Sequence, residues 1–80
     1  MTDLSDYTLD QRREAINQVI DSKRDRKILE MRLLDKRSYQ EIGSDPEIRL
    51  EVRQVGYILS RGSAKVGDYL KGKRKRRFFR

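Results

Sequence analysis

Apolar residues recur at helical intervals through most of this chain, with polar residues between them. The longest regular run is Ile48, Val52, Val55, Leu59, Gly62 and Val66, spaced by threes and fours. On a helical wheel these positions fall within about 80° of arc, the width of a face turned to a core. Ile58, Tyr69 and Leu70 flank that face. Upstream, Ile16, Val19 and Ile20 predict one side of a helix. Ile28, Leu29, Leu33 and Leu34, widened by Met31, predict the apolar side of another. Strands need sustained alternation, and none is present. The expected fold is all-α, a small helical domain of three to five helices.

Polar punctuation places the helix ends. Thr8-Leu9-Asp10-Gln11 fits a capping box, with Tyr7 as a staple residue before it. That helix should run to about Ile20. Ser22 and Asp25 form a second capping-box-like pair, although one bent helix from Leu9 to Leu34 fits the same pattern. Asp35-Lys36-Arg37 reads as a turn, and Met1 to Asp6 as a frayed end. Ser38-Tyr39-Gln40-Glu41 is the cleanest capping box, after which Ile42 points inward, with Tyr39 beside it. Gly43 and Ser44 loosen that short helix. Asp45-Pro46-Glu47 then predicts a fresh helix start, with Asp45 as cap and Pro46 at the first helical position. Gly56, Gly62 and Gly67 each cost roughly 1 kcal/mol relative to alanine, so a kink or end near Gly62 or Gly67 is expected.

Composition narrows the chemistry. The 80 residues hold no Cys and no His, which removes disulfides, thiolate metal sites and the commonest general base. No nucleophile–base pair, phosphate loop or metal-ligand spacing appears, so neither an enzyme nor a cofactor is expected. No apolar run approaches a membrane span, which leads to a cytoplasmic expectation. The 20 cations and 13 anions leave a formal charge of +7. Lys71 to Arg80 holds seven of those cations and no anion, so residues 1–70 carry 13 of each sign. The division predicted is a helical domain over 1–70 and a basic tail over 71–80.

Opposite the apolar stripe stand Arg49, Arg53, Tyr57 and Arg61, one helical turn apart, flanked by Leu50, Gln54 and Ser60. A row of arginines on a helix is usually a solvated face. Behind a short capped helix and a tight turn, it also suits a DNA groove. Arg can bind a guanine edge and Gln an adenine edge with paired hydrogen bonds. Ser, Tyr and further Arg suit phosphates. Asp45 and Glu47 would repel phosphate at the helix start, which moves first contact toward Arg49.

Ser38-Tyr39-Gln40-Glu41-Ile42, a turn, then Val55 with Leu59-Ser60-Arg61-Gly62 and Lys65-Val66 resembles the helix-turn-helix of bacterial sigma factor region 4. It is also similar to small sigma-like regulators of phages and mobile elements. Asp25 to Leu34 resembles the helix that precedes the motif in that family. The likeness covers residues 24–70. Between Ile42 and Val55 this chain is longer than the family pattern, and Ser44-Asp45-Pro46 stands where a Leu-Gly pair is common. A remodelled turn and a second helix extended at its start are therefore expected.

The resemblance implies a DNA-binding transcription regulator whose second helix enters the major groove of double-stranded DNA while the first braces it. Arg49, Arg53, Gln54 and Tyr57 would face bases, and Ser38 and Arg61 the backbone, with Ser60 beside them. Contact with RNA polymerase is an alternative that the resemblance also implies. Small helix-turn-helix proteins often bind as dimers, but no heptad seam here names an interface. The tail cations Lys73, Arg74, Lys75, Arg76 and Arg77 would add phosphate contacts, with an RNA-binding or architectural role as a further alternative. Read alone, Lys73 to Arg80 should not fold, because its charges repel. Phe78 and Phe79 suit packing on the body or a partner.

Overall fold

The computed structural model describes residues 6–78, with side chains described for 6–72. Met1 to Ser5 and the side chains of Lys73 to Arg80 lie outside that range, together with the expectations placed on them. Four helices follow in order: α1 (Leu9–Val19), α2 (Lys23–Leu33), α3 (Tyr39–Ser44) and α4 (Val52–Phe78). The all-α expectation holds. Among the described residues no helix is long and apolar enough to cross a membrane.

The first three helices begin where their side chains satisfy free backbone donors. The Thr8 hydroxyl accepts from the Gln11 N–H at 3.1 Å, and the Gln11 amide oxygen accepts from the Thr8 N–H at 2.8 Å. Ser38 and Glu41 repeat the exchange at 3.1 and 3.0 Å. The Ser22 hydroxyl caps α2 alone, through Asp25 N–H. Such caps stabilise a helix by about 1 kcal/mol each. Ile20 leaves the helical region at φ −110, so α1 and α2 are two helices and not one bent one. Beyond α2 the chain reverses through Lys36, which takes the left-handed region at φ 58.

The core is shared by all four helices. Ala15, Ile16 and Ile20 meet Ile28, Leu29, Met31 and Leu33, and α3 adds Ile42. Ile48 adds a side chain from the connection, and α4 contributes Val55, Leu59, Val66 and Leu70. Arginine stems tie the helices at the rim. Arg12 donates to the Leu33 carbonyl at 3.0 Å, and Arg26 to the Ile20 carbonyl at 2.5 Å.

Two expectations about α4 are corrected. It does not begin at Asp45-Pro46. The Asp45 carbonyl accepts from Ile48 and Arg49, and its carboxylate accepts from Glu47 N–H at 2.9 Å, which closes a single turn. Arg49 then enters the left-handed region at φ 51 and stops propagation. The helix starts at Val52, which is 49% exposed and not part of the buried face. Nor does α4 break at its glycines. Gly62 lets α2 pack tightly on α4, since a Cβ there would lie 2.6 Å from Leu29 Cδ1. Packing against a fully buried Leu29 offsets the helix propensity that glycine lacks. The backbone helix crosses residues 70 and 71 without interruption and continues through Phe78. Its 27 residues span about 40 Å, and the longest dimension of the fold is 45 Å.

Candidate nucleic-acid interface

The candidate surface is built on the junction between α3 and α4. Gly43 makes it tight. The Leu50 N–H donates to the Gly43 carbonyl at 3.1 Å, and a Cβ on Gly43 would overlap the Leu50 carbonyl oxygen. Here a missing side chain lets two backbones meet. The loosening role expected of Gly43 is replaced by a docking one, because Gly43 is fully helical and buried.

A second tie comes from α2. The Lys27 ammonium lies 2.9 Å from a Glu47 carboxylate oxygen and 3.7 Å from one of Asp45. The hydrogen bond with Glu47 holds the Lys27 pKa above its usual 10.5, and the charges of Asp45 and Glu47 add to it. The two acids expected to repel phosphate are therefore matched by a cation on a neighbouring helix. Glu41 is held below its ordinary 4.5 by the Ser38 backbone N–H and hydroxyl.

The exposed side of α4 carries Arg53, Gln54, Tyr57, Ser60 and Arg61, while Val55, Leu59 and Val66 are fully buried. Tyr57 is 54% exposed, and its hydroxyl accepts from Arg61 at 3.2 Å. The Arg61 guanidinium also lies over the Tyr57 ring, 5.5 Å from its centre. The two side chains thus stiffen each other one turn apart. Arg53 makes no hydrogen bond or ion pair among the described residues. Arg12, Arg26 and Arg32, by contrast, each donate to a backbone carbonyl.

One sequence expectation changes. Arg49 is exposed but lies before α4, so it does not continue the row formed by Arg53, Tyr57 and Arg61. The Gln54 amide oxygen accepts from the Glu51 N–H at 3.1 Å and so caps the start of α4. Ser38 is exposed, and its oxygen accepts from the Glu41 N–H, as its capping box predicts. Tyr39 is half-buried with Arg32 over its ring at 5.1 Å, and Ile42 is fully buried, both as expected. The five tail cations lie outside the described side chains.

Sequence reading missed Arg24. It comes from the first turn of α2, yet it lines a surface depression of about 480 Å3 with Leu50, Arg53, Gln54, Tyr57 and Ile58. No local pattern marks it, since its proximity to α4 is purely tertiary. The resulting surface is a cationic and aromatic helix face with a half-buried apolar floor. No protein-family model, curated protein or solved structure gives a significant match to this chain.

Proposed function

We propose that this chain is a DNA-binding transcription regulator that lays the first half of α4 in the major groove. One observation carries the reading: Arg53, with no hydrogen bond or ion pair among the described residues, stands one turn before the paired Tyr57 and Arg61 on the exposed face of a helix whose other face is buried. Such a helix fits the groove, and free guanidinium donors match the guanine edge. α3, fastened to the start of α4 through Gly43 and Leu50, would set the helix angle. The sigma region 4 resemblance points the same way, as does the cation-rich segment beyond residue 70.

Selection of duplexes from a random pool, followed by binding across a salt series, tests this. Arg53→Ala and Tyr57→Ala should each weaken the selected duplex by about 1–3 kcal/mol and narrow its advantage over a scrambled one. Deletion of residues 71–80 should weaken both duplexes alike and flatten the salt slope. Binding by the full chain that shows no preference among duplexes would overturn the sequence-reading version.

A further inference from the structure

Two depressions flank the exposed face of α4, and they differ in charge. The one between the α1–α2 junction and the middle of α4 measures about 400 Å3 and includes Asp21 and Asp25 in its wall. The other, bounded by Arg24, Arg53, Gln54 and Tyr57 above Leu50 and Ile58, has no carboxylate in its lining. Arg24, Arg61 and Lys65 also line the first and are offset there by the two acids, whereas nothing offsets the cations of the second, which draws an anion more strongly.

Arg24 stands where the two meet, since it lines both. Its side chain is 51% exposed, and its Nε is the nitrogen that contacts Asp25, at 3.2 Å. The two terminal nitrogens make no protein hydrogen bond among the described residues. Arg53 lines the same depression from α4 and makes no hydrogen bond or ion pair among the described residues. The two terminal nitrogens of Arg24 offer a donor pair suited to two phosphodiester oxygens.

We infer that Arg24 clamps a backbone phosphate at the α2–α4 depression, so that α2 anchors the DNA strand beside the groove in which Arg53 meets a base. This rests on the DNA reading proposed above and adds to it a contact from outside the α3–α4 unit. Arg24 sets register and affinity and carries no sequence information, because phosphates are alike at every base pair. The apolar floor of Leu50 and Ile58 accommodates the sugar edge next to that phosphate.

The test compares the full-length chain with Arg24→Gln and Arg24→Lys, using the duplex that the wild type selects and a scrambled duplex. Gln retains a donor for Asp25 but has no charge; Lys keeps the charge. Arg24→Gln should weaken both duplexes by the same factor, roughly five- to tenfold at ~0.1 M salt, and reduce the slope of log affinity against log salt by about 0.9. Arg24→Lys should preserve the slope. Circular dichroism melts of the three proteins check that the fold is retained, and if Gln unfolds the chain, Arg24→Ala is read in its place. Wild-type affinity in Arg24→Gln, or a loss confined to the selected duplex, overturns the clamp while leaving the DNA reading intact. A wild-type chain that binds neither duplex overturns both.

Discussion

Replacing Gly43 with alanine probes the contact on which the α3–α4 geometry depends. The new Cβ would overlap the Leu50 carbonyl oxygen, which is backbone and cannot rotate aside, and would sit 3.5 Å from Val55 Cγ2. Either α3 or the connection must shift. That shift stretches the Leu50-to-Gly43 hydrogen bond of 3.1 Å, worth about 1 kcal/mol, and adds about 1–3 kcal/mol of overpacking. Alanine returns about 1 kcal/mol of helix propensity. The net expectation is about 1–3 kcal/mol of destabilisation, or roughly 5–20 °C in Tm for a domain of this size. Thermal melts followed by circular dichroism measure it. Gly72→Ala is the internal control, because no heavy atom lies within 4 Å of its Cβ position and propensity alone should act there. If Gly43→Ala melts at or above the wild-type temperature while Gly72→Ala does the same, the close backbone approach is not what holds α3 to α4.

Gly62→Ala should also destabilise, by about 1–3 kcal/mol, because Leu29 is fully buried and has little room to yield; a urea titration checks it. Ser63 is fully buried with no hydrogen-bond partner for its hydroxyl among the described residues, so Ser63→Ala should leave stability unchanged or raise it by about 1 kcal/mol in the same titration. Glu41 has a depressed pKa when folded, so its contribution is complete above 4.5 and fades as pH falls through the lower folded value. The Tm gap between wild type and Glu41→Gln should therefore close in acid; a gap that widens would contradict the cap electrostatics. Lys27 has a raised pKa, so its clamp is intact at neutral pH and is lost only as pH climbs past 10.5. Lys27→Met should lower Tm at neutral pH, and added salt should shrink the difference.

Local signals located the first three helices because each begins with a side chain that serves its own backbone. Thr8 with Gln11 and Ser38 with Glu41 are spaced three apart, and nothing distant competes for them. The same kind of reading failed at Asp45-Pro46, where the cap chemistry is real but closes only one turn. What decides that segment lies elsewhere in the chain. Lys27 holds the two carboxylates, Ile48 enters the core, and Leu50 pairs with Gly43. These anchors require the chain to bend at Arg49, against the preference of a residue with a Cβ. The spacing of Arg53, Tyr57 and Arg61 told that these three are exposed, since exposure along a helix follows from phase. The capping role of Gln54 was also within reach of the sequence, because Glu51 stands three residues before it. Arg24 was not, since only the crossing of α2 and α4 brings it there.

Gln54 illustrates how one amide can limit what a surface distinguishes. Its amide is turned back onto the Glu51 N–H, while a paired contact with adenine needs the same amide to reach into the groove. In the proposed complex, adenine at that base pair would win a paired contact of about 1–3 kcal/mol only by releasing a cap worth about 1 kcal/mol. Much of the discrimination would cancel. The operator position opposite Gln54 should therefore tolerate substitution, while the position opposite Arg53, whose guanidinium gives up nothing, should not.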